Sequence, residues 1–203
     1  MITYPTTLPD ARFTTTTFGA DFNNITHLSL NRSRQVVSRA GDLLIFEFQL
    51  PPKTPAQADA WVAWAMGQRG SFGTFYGFDP DRRTPRGVAT GSPLVAGASQ
   101  SGYSLATDGW TPSVTGILRA GDWIEVGGLL RMVTQDADSS AGGAATLSIS
   151  PGIGPGQSPA DNAPVTVTGA KGIFRLIDDR LTWDSDVIRL QGLSFRAIEV
   201  LNV

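Results

Sequence analysis

Alternation of apolar and polar positions dominates both ends of this 203-residue chain. The clearest case is 43–50, where Leu44, Phe46, Phe48 and Leu50 fall on one face with the period of two that is typical of a strand. Further alternating, β-branched or aromatic runs occur at 14–22, 25–31, 73–78, 173–177 and 193–203. These patterns predict a mostly antiparallel β structure.

One stretch has helical spacing instead. Thr54 suits an N-cap and Pro55 suits the first position of a helix. Gly67 and Gly70 would supply the stop. The apolar face of this predicted helix consists of Ala58, Trp61, Val62, Ala65 and Met66. Because one face is apolar, we expect the helix to lie on the sheet.

The middle of the chain, 88–170, has short aliphatic runs separated by turns rich in Gly, Pro and Asp. The runs that we predict as strands are 93–97, 114–118, 122–126, 129–133, 145–150 and 165–169. Short strands at this spacing predict a small β-barrel or sandwich. In its central hairpin, around Gly127-Gly128, the expected core and turn-facing positions are Trp123, Ile124, Val126, Leu130 and Met132.

Composition separates the middle from the ends. All ten Phe lie outside 88–170, whereas 14 of the 23 Gly lie inside it, with two basic and six acidic residues. Two core compositions favour two domains, a discontinuous one of 1–87 plus 171–203 and an inserted one of 88–170. Such an insertion into a loop is thermodynamically mild when its ends lie close together. One continuous β domain of uneven composition is the alternative.

Charge and cysteine content exclude several classes of protein. The chain has no cysteine, which excludes disulfides and thiolate metal sites. A net charge of -2 with interspersed signs argues against specific nucleic-acid binding. The N-terminus lacks a signal-peptide pattern and no window approaches a membrane span, so we expect a soluble protein made in a cytoplasm without membrane insertion.

Candidate catalytic and ligand residues are few, and each has a simpler structural interpretation. His27, the single histidine, sits in an alternating strand. The segment 97–102 resembles a nucleophile elbow only loosely, and 136–142 lacks the Gly and Glu of a calcium loop. Acidic pairs occur in a polar segment typical of a turn and consist of Asp178 with Asp179 and Asp184 with Asp186. We therefore expect no enzyme, no catalytic residue, no cofactor and no metal.

Two longer stretches carry a resemblance to a known family. In FEFQLPPKTPAQADAWVAWAMGQRGSFGTFYGFDPDRRTPRG, a strand leads through Pro-Pro into a Trp-bearing helix, then Gln68-Arg69-Gly70, an aromatic strand and Asp79-Pro80. The closing stretch is GIFRLIDDRLTWDSDVIRLQGLSFRAIEV. Their order resembles the distal tail proteins of long-tailed, non-contractile bacteriophages (siphophages) and of gene-transfer agents. The middle block, with AGDWIEVGGLLRMVTQD, is similar to small barrel modules of phage tail-tip proteins.

The resemblance implies a structural virion protein at the distal end of a tail, made in the bacterial host. It implies a β-sandwich-like, ring-forming domain with one helix, carrying the inserted barrel. Six copies would form a ring that joins the tail tube protein to the baseplate hub protein, with the tape-measure protein as a further candidate neighbour. DNA would pass through the lumen without specific binding. The resemblance brings no catalytic residue.

A second class of function stays open, a carbohydrate-binding adhesin that takes part in host attachment. Sugar sites usually stack a ring on an exposed aromatic side chain among polar groups. Tyr103 and Trp110 lie in a stretch that we predict as a loop, YSLATDGWTP, and are the candidate glycan contacts. Alternatively, the two side chains cover an open end of the barrel. Trp123 is expected in the core.

Overall fold

The computed structural model describes residues 2–10, 12–185 and 191–201. Asp186 of the second acidic pair and the last two positions of the predicted strand 193–203 lie outside the described residues. The strands in chain order are β1 (Thr15–Asp21), β2 (Asn24–Leu28), β3 (Arg34–Ser38), β4 (Leu43–Gln49), β5 (Phe75–Gly77), β6 (Gly91–Val95), β7 (Gly102–Trp110), β8 (Trp123–Val126), β9 (Leu129–Val133), β10 (Ala145–Ile153), β11 (Val165–Thr166), β12 (Gly172–Leu176), β13 (Asp184–Ser185), β14 (Gln191–Gly192) and β15 (Ser194–Glu199).

The described chain is mostly β, with antiparallel sheets, one α-helix, α1 (Pro55–Gln68), and one nearly closed, barrel-like sheet. The predicted fold class is confirmed at this level. Backbone contacts divide the chain into two compact units. The aromatic unit comprises Met1–Gly19, Leu44–Asp81 and Lys171–Val200, and the barrel unit comprises Ala20–Leu43, Arg82–Ala170 and Leu201–Val203. The domain boundaries that the sequence suggested, 1–87 with 171–203 and 88–170, remain a prediction.

The aromatic unit contains a five-stranded sheet in the order β1-β4-β15-β12-β5. Strand β15 pairs antiparallel with β4, with Phe195 opposite Phe48, and with β12, with Ala197 opposite Leu176. Phe46, Phe48, Phe174 and Phe195 are all buried. The alternation that predicted these strands therefore marks the face of the sheet that is covered.

Helix α1 belongs to the aromatic unit and is built much as its sequence predicts. Its N-cap is Thr54, whose backbone N–H donates to the Gln57 side chain at 3.2 Å. Trp61 is fully buried, and its ring centroid lies 5.9 Å from that of Phe48 and 6.2 Å from that of Phe195. Several aromatic contacts of this kind therefore hold the helix on the sheet, within the distance range that aromatic pairs favour.

Two expectations for α1 are wrong. Met66 is exposed, and Gly67 lies inside the helix. The helix ends where Arg69 takes a left-handed conformation and donates its N–H to the carbonyl of Met66. Gly70 follows with a φ of +68°, so the helix stops at the second of the two predicted glycines.

The barrel unit contains a six-stranded sheet in the order β11-β8-β9-β10-β7-β6. The two ends of this order meet. The N–H of Val95 donates to the carbonyl of Ala163 at 2.9 Å, and Leu94 forms a bridge with Pro164 beside β11. A sheet whose ends meet removes most of its open edges, which is the physical advantage of a barrel.

The interior of the barrel is largely aliphatic. It consists of Val95, Leu105, Trp110, Ile117, Leu118, Ile124, Val126, Val133, Ala137, Ala145, Leu147, Ile149, Ile153 and Val165. Of the five positions predicted from the central hairpin, four are buried and Met132 is half-buried. Its neighbour Arg131 is fully buried, with Nη1 donating to the carbonyl of Leu130 at 2.6 Å.

Two predictions for the barrel strands are wrong. The run 114–118 forms turns and a single bridge from Leu118 to Ala137, although Ile117 and Leu118 are buried. Its apolar character therefore reflects burial without strand pairing. Conversely, 102–110 forms β7, a nine-residue strand. Its Asp108-Gly109 pair has the composition of a turn, which is why the sequence predicted a loop.

The barrel unit also includes a β-hairpin from the N-terminal part of the chain. Strands β2 and β3 form a two-stranded sheet in which Ile25 lies opposite Val37 and Thr26 opposite Val36. The sequence predicted the first strand and missed β3. Its sequence, RQVVS, lacks strict alternation, and all five of its residues are exposed.

Candidate functional site

The two candidate glycan contacts have different environments. Both lie in β7, and the predicted loop is wrong for both. Trp110 is 3% exposed, belongs to the barrel core and donates its Nε1–H to Oγ1 of Thr107 at 2.8 Å. Tyr103 is 48% exposed. Only the tyrosine of this pair offers a ring to a ligand.

The hydroxyl of Tyr103 is held by residues that directly follow the β2–β3 hairpin. It donates to Oδ2 of Asp42 at 2.6 Å, a short bond of the kind that an ionised acceptor makes. Oδ1 of Asp42 accepts the backbone N–H of Asn23 at 3.0 Å. Asp42 is only 4% exposed, and these two hydrogen bonds, from the residue that directly precedes β2 and from the tyrosine, fix its carboxylate in place.

A cavity of about 350 Å³ lies beside this pair, within the barrel unit. Three segments line it, 38–42, 101–103 and 152–155. We call it the tyrosine cavity. Its volume lies at the low end of the roughly 300–1,000 Å³ that is typical of ligand pockets.

An irregularity in the barrel opens this space. Ser148 lies opposite Ser104, but Ile153 lies opposite Gly102, so β10 advances five residues while β7 advances two. Such bulges are frequent beside functional sites because they redirect the chain. A Cβ on Gly152 would lie 3.2 Å from Cε1 of Tyr103, so glycine allows the backbone to approach the ring.

Charges at the tyrosine cavity are balanced. Arg39 contributes a guanidinium, whose Nη2 donates to Oδ1 of Asn23 at 3.3 Å. Asp42 contributes a carboxylate, and Ser38 a hydroxyl 3.4 Å from that of Tyr103. The cavity therefore offers hydrogen-bond donors and acceptors around a partly exposed ring. Asp42 and Arg39 could not be recognised from the sequence, because they lie some sixty residues from Tyr103.

The first of the acidic pairs singled out in the sequence has structural partners. Asp178 pairs with Nη2 of Arg196 at 3.0 Å, and Asp179 accepts the hydroxyl and the N–H of Ser71. These bonds from Ser71 hold the pKa of Asp179 below its ordinary value. Asp184 lies in the short strand β13, and Asp186 is outside the described residues.

The other motifs also take part in local structure. Asp136 of the segment 136–142 accepts the N–H of Ala120 and a guanidinium N–H of Arg119, which lower the pKa of its carboxyl. His27 is exposed on β2 opposite Gln35. In the segment 97–102, Oε1 of Gln100 accepts the N–H of Ala106 at 2.6 Å.

Two kinds of feature do not occur among the described residues. These residues contain no group of three or more His, Asp or Glu side chains placed to hold a metal ion. Among them, no helix has the length and apolar content needed to cross a membrane.

The β2–β3 hairpin is a second feature of the barrel unit that suggests function. Thr26 pairs with Val36 and Leu28 with Arg34, so Leu28 and Val36 share one face. Both are well exposed, at 65% and 58%. In the described chain neither strand pairs with a third, so each keeps an open edge. Leu30 in the turn is fully exposed.

No protein-family model matches this chain, and no curated protein matches it.

Proposed function

We propose that this chain is a structural virion protein of a phage tail tip. In this proposal six copies form a ring that joins the tail tube to the baseplate hub, as the resemblance of its two long stretches implies. The observation that carries the proposal is the β2–β3 hairpin, because its exposed Leu28 and Val36 and its open edges favour contact with a neighbouring chain.

The stability of the hairpin favours a contact with another chain. An isolated two-stranded hairpin is marginally stable in water. Exposed apolar side chains and open strand edges are liabilities that a monomer usually avoids. Burying the face of Leu28 and Val36 would contribute about 25 cal/mol for each Å² of apolar surface removed from water. Association therefore stabilises the hairpin and satisfies its edges together.

Charge supports a contact between copies. The hairpin, 24–38, contains Arg32 and Arg34 and no acidic residue, whereas 88–170 has a net charge of -4. The hairpin of one copy and the barrel of the next are thus oppositely charged. Contacts between different surfaces of identical chains close into rings when the rotation permits.

A single charge on the exposed face tests this proposal. Val36→Asp should abolish assembly in sedimentation velocity and leave the fold intact, because it places a carboxylate in the contact. Val88→Asp is the matched control, since Val88 is 59% exposed and lies outside the hairpin. Assembly that survives Val36→Asp, or that both substitutions abolish alike, would contradict a role of the hairpin.

The second candidate function is carbohydrate binding in host attachment. The observation that favours it is the half-exposed ring of Tyr103 beside the tyrosine cavity. Trp110 no longer supports it, because its side chain lies in the barrel core. The two candidates are compatible, since a ring subunit can also bind a ligand.

A further inference from the structure

The geometry points to a binding site for an uncharged saccharide in the tyrosine cavity, with Tyr103, Asp42 and Arg39 as its contacts. This inference gives the second candidate function a site and a ligand class, and rests on it. It does not depend on assembly into a ring.

The carboxylate of Asp42 is the first reason. An ionised carboxylate accepts about four hydrogen bonds. The N–H of Asn23 and the hydroxyl of Tyr103 occupy two of these positions. A carboxylate that is almost fully buried yet lines a cavity can accept two further donors from a ligand. Neighbouring hydroxyls of a sugar ring supply such a pair of donors.

The ring of Tyr103 is the second reason. The bond to Asp42 and the backbone of Gly152 fix the orientation of this side chain, while about half of it stays exposed. A fixed aromatic face is suited to the apolar C–H side of a pyranose, because stacking then costs little conformational entropy. A mobile surface tyrosine would lack that advantage.

The charge balance sets the ligand class. Arg39 and Asp42 are the charged side chains that line the cavity, and their charges cancel. An anionic ligand would be repelled by Asp42, and a cationic one by Arg39. A polyhydroxy compound needs donors and acceptors without net charge, which matches this lining. The cavity volume of about 350 Å³ suits one or two sugar rings better than a long chain.

Ligand-observed NMR on the full-length protein tests the site. The probes are methyl pyranosides of glucose, galactose, mannose and N-acetylglucosamine, with methyl glucuronide as the anionic comparison. We expect at least one neutral probe to show saturation transfer from the protein. Tyr103→Ala should reduce its affinity at least tenfold. Tyr103→Phe, which keeps the ring and removes the bond to Asp42, should reduce affinity less.

Trp183→Ala is the matched control, because Trp183 is an exposed aromatic residue of the aromatic unit and should not affect binding. Amide spectra of each variant check the fold. Binding of a neutral probe that survives Tyr103→Ala overturns this site and leaves the second candidate function standing. Binding of the glucuronide alone overturns the ligand class. No binding of any probe overturns both the site and the second candidate function.

Discussion

The two units bury different kinds of side chain. In the aromatic unit, Phe46 of β4 stacks on Phe18 of β1 at 4.7 Å and on Phe48 of its own strand at 4.8 Å. In the barrel unit, the main hydrophobic cluster is aliphatic except for Trp110. Large rings can bridge a few elements that meet from distant segments, whereas a small barrel fills its narrow interior with Val, Leu and Ile. The uneven composition of the sequence thus reflects two ways of filling a core.

One buried carboxylate of the barrel unit accepts several backbone hydrogen bonds. In the barrel unit, Oδ1 of Asp122 accepts the N–H of Arg86 at 2.8 Å, and Oδ2 accepts the N–H groups of Gly87 and Arg119 at 3.1 and 2.7 Å. This carboxylate is 3% exposed and ties two loops together. Irregular backbone in a small barrel therefore depends on fixed side-chain acceptors.

The largest expected effect is loss of a ring from the aromatic core. Phe46→Ala should lower the free energy of unfolding of the aromatic unit by about 3–5 kcal/mol, because it leaves a cavity among several aromatic contacts. Leu147→Val, a smaller deletion in the barrel core, should cost about 1 kcal/mol. Urea unfolding followed on the amide signals of each unit measures both. A cost for Phe46→Ala below that for Leu147→Val would break the comparison of the two cores.

The next effect concerns the carboxylate in the barrel unit. Asp122→Asn should destabilise this unit by about 2–4 kcal/mol, because an amide carries no charge and places a donor against backbone N–H groups. Asp138→Asn is the control. Asp138 is exposed and accepts one N–H, from Gly116. Thermal unfolding measures the stability of both variants. Equal losses of stability would contradict a larger contribution from the buried hydrogen bonds of Asp122.

A smaller effect is expected at a glycine of β7. Gly109 has a φ of +75°, and a Cβ there would overlap the carbonyl oxygen of Ser92. Gly109→Ala should therefore cost about 2–3 kcal/mol. Gly97 has a φ of +92° with open space around it, so Gly97→Ala should cost about 1 kcal/mol, from backbone conformation alone. The denaturant midpoints of the two variants separate the cost of steric overlap from the cost of backbone conformation. Equal costs would contradict a close approach at Gly109.

The smallest expected effect is on the pKa of two carboxyl groups, one in each unit. Hydrogen bonds from Ala120 and Arg119 lower the pKa of Asp136, and those from Ser71 lower the pKa of Asp179. Both should titrate below the ordinary value of about 3.9 in carboxyl-detected NMR. Since the folded pKa is the lower one, the stability they add is present above about pH 3.9 and is lost as pH falls through the folded pKa. A midpoint at or above the ordinary value would contradict these contacts.

Elements with strict periodicity were predictable from sequence, and elements defined by distant contacts were not. The alternation at 43–50 predicted β4, and the cap at Thr54 predicted the start of α1, because both signals are local. Strand β7 was missed because Asp108-Gly109 has the composition of a turn, although its neighbours in the barrel keep it extended. Tertiary pairing thus overrides local preference there.

The candidate site shows the same limit. An aromatic residue among polar neighbours made Tyr103 a candidate, and the structure places it at a cavity. The same reasoning chose Trp110, which is buried, because sequence does not show which face of an unrecognised strand a side chain occupies. Asp42 could not be predicted, since its role depends on a hydrogen bond across 61 residues.

The central claim is that identical chains associate into a closed ring, and native mass spectrometry of the unmodified protein tests it most directly. The account predicts a dominant species of about 129 kDa, six times the 21.5 kDa chain, with no larger open series. It also predicts that Val36→Asp converts this species to monomer. A wild-type protein that stays at 21.5 kDa at every concentration would contradict the account.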